Sequence, residues 1–91
     1  MMALVWRESA RQDLRQIFSY IADRDLAAAE RLAAAIEACA ERLPEHPFLY
    51  RPGRVPGTRE AVAHPNYILV YRVGTSAVEI VSLVHARQQY P

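Results

Sequence analysis

Six side chains in the C-terminal half of the sequence are of types that could do chemistry without a metal. They are Arg59, His64, Arg72, His85, Arg87 and Tyr90. Histidine and tyrosine can act as general acid or base, and arginine can stabilise the charge that develops on a phosphate during cleavage. A metal-free ribonuclease could be built from such a set. For His64 we favour a surface position beside a turn, and for His85 and Tyr90 ordinary packing explains the pattern as well as catalysis does.

Local motifs of several common enzyme classes are missing from the sequence. There is no glycine-rich phosphate loop, no Cys/His spacing suited to zinc and no Gly-x-Ser-x-Gly turn. We therefore expect neither a cofactor nor a metal. The single cysteine, Cys39, lies in apolar helical spacing, which predicts a buried thiol in a reducing compartment.

The stretch 67–73, Tyr-Ile-Leu-Val-Tyr-Arg-Val, predicts the strand around which the chain is organised. Aromatic and β-branched residues dominate it, and turn formers lie on both sides. It is apolar at every position except Arg72. A strand that is apolar on both sides needs cover on both faces, but the chain has only one helical region. Part of one face is therefore expected to be exposed or covered by a partner.

The remaining patterns predict an α+β domain of order β-α-α-β-β-β that spans residues 1–91. The predicted elements are a strand at 3–6, a helix at 9–23 capped by Ser9, a helix from Asp25 to Pro44, and strands at 59–64, 67–73 and 77–84. The helices form an antiparallel hairpin on one face of a mainly antiparallel sheet. Residues 44–58 are rich in Pro and Gly and carry Arg51 and Arg54. This loop is either a solvated connector or a basic loop beside a binding face.

A two-residue turn at Pro65-Asn66 predicts which strand positions share a face. Arg59 would lie opposite Arg72, and the same face would carry Ala61, Ala63, Ile68, Val70, Val78, Ile80 and Ser82. The other face, with Glu60, Val62, Tyr67, Leu69, Tyr71, Glu79, Val81 and Leu83, is bulkier and would receive the helices. An open apolar face edged by two adjacent arginines is typical of a surface that binds an anionic partner. A one-residue slip in register would exchange the faces.

Charge is distributed unevenly along the 91 residues. Residues 1–45 contain six Arg and eight acidic residues, whereas residues 46–91 contain five Arg and two Glu. All eleven basic residues are arginine, a pattern that compositional bias explains as well as phosphate binding does. No apolar run is long enough for a transmembrane helix, and the N-terminus lacks the pattern of a signal peptide. We expect a cytoplasmic protein without membrane contact.

Several short segments, taken together and in order, resemble the RelE/ParE superfamily of bacterial type II toxin–antitoxin toxins. They are Trp6, Ala10, 13–14 and 17–21, then Leu43, Pro47 and 51–60, and finally 67–72 and 84–91. The resemblance covers nearly the whole chain. It implies a cytoplasmic toxin that inhibits growth and is neutralised by a cognate antitoxin in a hetero-oligomer. The run 51–60 looks closer to chromosomal ParE-type toxins.

The superfamily is split in its activity, and the resemblance implies two alternatives. RelE-like members are ribosome-dependent endoribonucleases that cut mRNA; ParE-like members poison DNA gyrase without known nuclease chemistry. Arg59, Arg87 and Tyr90 match the nuclease branch, and His85 is a further acid–base candidate, but Ala61 and Ile68 stand where that branch has cationic residues. The partner-binding candidates are Arg51, Arg54, Arg59, Ala61, Ile68, Val70 and Arg72. We favour the gyrase branch; a module whose toxicity has decayed is a third alternative.

Overall fold

A computed structural model describes residues 2–90, which form two helices packed on a five-stranded sheet. The elements are β1 (Ala3–Trp6), α1 (Glu8–Ala22), α2 (Leu26–Arg42), β2 (Arg51–Pro52), β3 (Arg59–His64), β4 (Tyr67–Val73) and β5 (Ala77–His85). The strand order is β1-β5-β4-β3-β2, with β1 parallel to β5 and the other pairs antiparallel. The predicted α+β architecture is confirmed. The two-residue strand β2, inside the predicted loop 44–58, was not predicted.

Helix α1 is fastened to β5 by side chains near its start. The predicted N-cap at Ser9 is wrong, because the helix begins at Glu8 and its N-cap residue, Arg7, makes no side-chain capping bond. The Ser9 hydroxyl instead donates to the carbonyl of Val81 at 2.8 Å. One helical turn later, the Asp13 carboxylate accepts from the backbone N–H of Leu83 at 3.0 Å. Ala10 between them is fully buried, so its small side chain lets the helix approach the strand closely.

Helix α2 begins as predicted. The Asp25 carboxylate accepts from the backbone N–H of Ala28 at 3.0 Å, which satisfies one of the free donors of the first turn. Residues 23–25 alone connect the helices, which confirms the antiparallel hairpin. The buried positions of α2 are Ala29, Leu32, Ile36, Cys39 and Ala40, all of which except Ala29 belong to the main core. Cys39 is 1% exposed, and burial raises the pKa of its thiol despite the nearby Arg42 charge.

The hairpin of β3 and β4 has the predicted two-residue turn but not the predicted register. His64 pairs with Tyr67, and the next pair is Val62 with Ile68, so Ala63 is an extra residue in a β-bulge. The bulge moves every earlier position of β3 by one. The predicted faces of β3 are therefore wrong: Ala61 is fully buried beneath the helices and Ala63 packs against the same core, while Val62 is 55% exposed on the other side.

A second irregularity lies between β4 and β5, where Val70 pairs with Ser82 and Tyr71 with Ile80. Val81 is the extra residue, so Val78 and Ile80 turn to the helices and not to the open face as predicted. Ser82 and the predicted helix-facing positions Leu69, Tyr71 and Leu83 are as expected. Leu69, Tyr71, Val78, Ile80 and Leu83 belong to the main core between the sheet and the helical hairpin.

Within residues 2–90, none of the helices is both long enough and apolar enough to cross a membrane.

Candidate functional site

The sheet face that points away from the helices, called here the outer face, carries Glu60, Val62, Ile68, Val70, Arg72 and Val84. Residues 86–90, called here the tail, cross it. Ala86 and Tyr90 of the tail pack against a small apolar cluster of Ile68, Val70 and Val84. Ile68 and Val70 are consequently buried, at 3% and 2% exposure, and not open as predicted. The second face of the central strand is thus partly covered by the chain itself.

Glu60 lies on this face in β3, beside the edge strand β2, and is almost completely buried, at 3% exposure. One carboxylate oxygen accepts from Nε of Arg51 at 3.2 Å and from its Nη2 at 2.9 Å. The other accepts from the backbone N–H of Arg54 at 3.0 Å and from the hydroxyl of Tyr90. The guanidinium of Arg54 stacks over the Tyr90 ring at 4.3 Å from its centre. We call Arg51, Arg54, Glu60 and Tyr90 the Glu60 cluster.

The electrostatics of the Glu60 cluster favour an ionised carboxylate and a protonated phenol. Burial by itself would raise the pKa of Glu60, but the hydrogen bonds from Tyr90, from the Arg54 backbone and from Arg51 outweigh it and leave the pKa lowered. Burial, followed by the hydrogen bond to Glu60 and the charge of Glu60, raises the pKa of Tyr90 to about 12. At neutral pH Tyr90 is therefore a donor that ties the tail to the sheet.

The two arginines that were predicted to lie side by side are on opposite faces. Arg59 pairs with Tyr71 on the helix side, where its Nη1 donates to the carbonyl of Tyr50 at 2.7 Å and its guanidinium stacks on Phe48. Arg72 pairs with Glu79 on the outer face. The Ala63 bulge is the physical reason, since it moves Arg59 by one position along β4.

Arg72 approaches the loop 53–58. A Cβ on Gly57 would lie only 2.7 Å from Nη1 of Arg72, and Gly57 has a φ of +84°. Any other residue here would both crowd Arg72 and strain the backbone. The outer face is thus lined by Arg51, Arg54 and Arg72, with Arg87 on the exposed tail beside it. Glu60 and Glu79 are the acidic residues of this face, and Glu79 also makes an ion pair with Arg7 at 2.6 Å.

His85 lies at the end of β5, opposite Tyr67 and therefore on the helix side of the sheet. Its ring meets the Tyr67 ring edge-on at 5.3 Å between centres. Its Nδ1 accepts from the backbone N–H of Arg87 at 3.1 Å. His64 behaves similarly at the neighbouring turn, where its Nδ1 accepts from the backbone N–H of Asn66 at 3.1 Å. Each histidine thus stabilises the turn that follows it in the chain.

The residues that the resemblance implied for nuclease chemistry do not converge in this structure. Arg59 and His85 pair with positions of β4 that are four residues apart, a separation of about 13 Å along the strand. Tyr90 lies on the opposite face of the sheet, with its hydroxyl bound to Glu60. A general acid or base must come within hydrogen-bond reach of the reacting group, so these side chains do not form one catalytic centre in the present arrangement.

A second surface feature, not found in the sequence, is a groove on the outside of the helical hairpin. It is lined by Leu14, Arg15, Phe18, Ser19, Ala33 and Glu37, and Trp6 and Arg11 continue it toward β1. Its floor is apolar and its rim is charged. Leu14 and Phe18 are both half-buried, and Leu14 also packs against the main core.

Glu60 itself was missed as a functional residue. Its position in the run 51–60, as the one acidic residue that follows three arginines, was the available signal. The cluster also needs Tyr90, thirty positions later in the sequence, which no local pattern connects to it. Among residues 2–90, no group of three or more His, Cys, Asp or Glu side chains is arranged to hold a metal ion.

Residues 4–90 match the family model described as the ParE toxin of the type II toxin–antitoxin system parDE. The chain is 41% identical over 87 residues to Y4kP of Sinorhizobium fredii, a protein named as a candidate toxin, covering 94% of this chain and 90% of Y4kP. It is 35% identical over 88 residues to Toxin RelE2 of Caulobacter vibrioides, covering 94% of this chain and 97% of that protein.

The fold is also similar to that of solved structures. A chain of the chromosomal ParDE system of P. aeruginosa superposes with a TM-score of 0.85 at 22% identity, over 93% of this chain and 96% of that one. A chain of the RelBE2 toxin–antitoxin complex of Mycobacterium tuberculosis gives 0.70 at 24% identity, over 92% and 96%. At these identities the likeness establishes a shared fold.

Proposed function

This chain belongs to the ParE toxin family of type II toxin–antitoxin systems, and from that premise we propose that it arrests growth by poisoning DNA gyrase. The proposed mechanism is a protein–protein contact without chemistry in the toxin. The proposed site of action is the cytoplasm. The family match identifies the class of toxin, and gyrase as the target is our proposal.

The observation that carries the proposal is the separation of the nuclease candidates. Arg59 stacks on Phe48 at one end of the helix side, His85 braces the tail at the other, and Tyr90 is bound to a carboxylate on the outer face. Assembling a phosphate-cleaving centre from them would require breaking the Glu60 cluster. A gyrase poison needs no such centre; it needs a rigid surface of defined shape.

The surface best suited to the target is the outer face with its tail. Arg54 and Arg87 are exposed there, and the last 46 residues carry five Arg against two Glu. Arg87, Gln88 and Gln89 project from the tail as exposed polar groups. A charged, ordered surface of this kind supports association by electrostatic steering.

We propose a cognate antitoxin as the second partner, bound in the groove of the helical hairpin. Two of the structural relatives come from toxin–antitoxin systems, ParDE and RelBE2. Because the tail already covers Ile68 and Val70, the groove is the more accessible apolar surface. Leu14 and Phe18 would receive apolar side chains of the antitoxin, and Arg15 and Glu37 would set its orientation. Such a complex buries about 1,000 Å² or more.

Ribosome-dependent mRNA cleavage is the second candidate, because a relative with 35% identity is named RelE2. In that case Arg59 and Arg87 would hold the phosphate, and His85 or Tyr90 would move protons. These groups would have to be brought together on the ribosome.

Induction of the protein in bacterial cells separates the two functions. Plasmid supercoiling, chromosome breakage and mRNA 5′ ends are followed in the same culture, with the neighbouring antitoxin gene present or absent. We expect lost supercoiling and broken DNA, intact messages, and relief by the antitoxin. New mRNA 5′ ends within minutes, with supercoiling and DNA unchanged, would contradict the gyrase proposal.

A further inference from the structure

A single buried carboxylate, that of Glu60, links the segment 51–54 and the tail to β3. Glu60 is 3% exposed and accepts four hydrogen bonds, two from the side chain of Arg51, one from the Arg54 backbone and one from the hydroxyl of Tyr90. Three of these bonds fix the segment 51–54 to β3. The fourth is the one that reaches the tail, and it spans thirty residues of sequence.

The other polar contacts of the tail are hydrogen bonds to neutral groups. The backbone N–H of Arg87 and that of Gln88 donate to Nδ1 and to the carbonyl of His85, and the N–H of His85 donates to Oε1 of Gln88. Arg54 stacks on the Tyr90 ring and donates to the carbonyl of Gln88 at 3.3 Å. At the start of the tail, the backbone N–H of Ala86 donates to the carbonyl of Asn66 at 2.8 Å. Beneath it, only Ala86 and Tyr90 touch the apolar cluster of Ile68, Val70 and Val84. The charged hydrogen bond is therefore the strongest single link between tail and sheet.

We propose that Glu60 is a positioning residue that holds the tail against the outer face, and that the toxin contacts its target with the tail held in this way. We call the hydrogen bond between Tyr90 and Glu60 the latch. The latch presents Arg87 and Gln89, both exposed, from a fixed backbone. Preordering of this kind lowers the entropic cost of binding, since the tail does not have to be ordered on contact. The identity of the target rests on the proposed function; the latch does not.

The first arm of the test measures the latch without any target. Tyr90→Phe removes one hydroxyl, Glu60→Gln removes the charge, and Tyr20→Phe makes the same chemical change as the first on an exposed residue of α1. Amide hydrogen exchange is compared at Ala86 in the tail and at Leu69 in the core. We expect exchange at Ala86 to be about tenfold faster in Tyr90→Phe and Glu60→Gln, and exchange at Leu69 in Tyr90→Phe to be accelerated by no more than the same factor and to stay far slower than at Ala86.

The second arm measures growth arrest and antitoxin binding for the same variants. Tyr90→Phe should weaken growth arrest at least several-fold while it stays fully folded at the growth temperature and binds antitoxin normally; Tyr20→Phe should behave as wild type. Unchanged exchange at Ala86 in Tyr90→Phe would overturn the latch. Faster exchange with full toxicity would overturn the need for a latched tail. If the wild-type toxin has no effect on gyrase, the proposed function is wrong, whereas the hydrogen-exchange result of the first arm still stands. If Glu60→Gln does not fold, Tyr90→Phe decides alone.

Discussion

The hydroxyl of Tyr90 donates to the carboxylate of Glu60, joining the end of the described chain to the first half of β3. This contact gives the arginine-rich run 51–60 a structural role. Arg51 and Arg54 neutralise a carboxylate that would be costly to bury alone, and the ionised carboxylate in turn fixes the tail. Arg51 and Arg54 were predicted as partner contacts; their bonds to Glu60 also make them part of the fold.

Glu60 should make stability depend on pH in the acid range. Its folded pKa is lowered from the ordinary value of 4.5, so its contribution is complete above that value and is lost as pH falls through the lowered folded pKa. Glu60→Gln should cost about 1.5–3 kcal/mol at pH 7, the usual range for hydrogen bonds to a charged group. Urea unfolding from pH 7 to pH 3 measures this.

The control for that series is Glu8→Gln, which removes an exposed carboxylate paired with Arg15. We expect the free-energy difference between wild type and Glu60→Gln to shrink below pH 4.5, and Glu8→Gln to stay close to wild type throughout. A cost for Glu60→Gln that is constant across the series would show that the charge of Glu60 is not what stabilises the fold.

Adjacent residues of β4 should differ in what their loss costs. Leu69 is fully buried against the helices, and Leu69→Ala should cost about 3–5 kcal/mol because the rigid core cannot close the cavity. Ile68 is buried under the tail, which can settle into the space, so Ile68→Ala should cost about 2 kcal/mol. Removal of residues 86–91 should reduce the cost of Ile68→Ala and leave that of Leu69→Ala unchanged, as measured by urea unfolding. Equal costs in the full chain would refute this account of the outer face.

The hairpin groove can be tested with two neighbouring alanines of α2. Ala33 lines the groove and Ala34 is exposed beside it, outside the set of groove-lining residues. Ala33→Arg should weaken antitoxin binding by a factor of 100 or more, since a charge would fill an apolar floor, while Ala34→Arg should have little effect. Calorimetric titration with the antitoxin provides the affinities. Equal affinities for the two variants would place the antitoxin elsewhere.

Substitutions of His85 and Arg87, at the end of β5 and in the tail, distinguish a toxin that acts by binding from one that acts as a nuclease. His85→Gln should keep most of the toxicity, because His85 here accepts a backbone hydrogen bond and packs on Tyr67. Arg87→Ala should reduce toxicity, because Arg87 is exposed on the tail. Growth after induction measures both, with melting temperatures as the check on folding. A loss of about 10²–10⁴-fold in His85→Gln, with the fold intact, would indicate general acid–base catalysis instead.

Local signals in the sequence were sufficient for most of the fold. Asp25 caps its helix as predicted. The link between the helices has the expected length, and the turns at 65–66 and 74–76 lie where expected. These features depend on the chemistry of a few consecutive residues. The sheet register depends on more than neighbouring residues, because the bulges at Ala63 and Val81 have no local signature in the sequence.

The same distinction applies to the candidate site. The bulge at Ala63 places Ala61 and Val62 on faces opposite to those predicted and separates Arg59 from Arg72. The predicted site for an anionic group between those two arginines is therefore not formed. The cover over Ile68 comes from the tail, through contacts between residues far apart in the sequence. Such long-range pairs cannot be deduced from periodicity or propensity, which describe neighbours along the chain.

A supercoiling assay with purified components tests the central claim most directly. Relaxed plasmid, ATP and purified gyrase are incubated with increasing amounts of the toxin, alone or with its antitoxin, and RNA cleavage on translating ribosomes is measured with the same preparation. The account predicts that the toxin inhibits supercoiling and leaves cleaved DNA held by gyrase, that the antitoxin restores activity, and that mRNA stays intact. Undisturbed supercoiling together with ribosome-dependent cleavage of mRNA would contradict it.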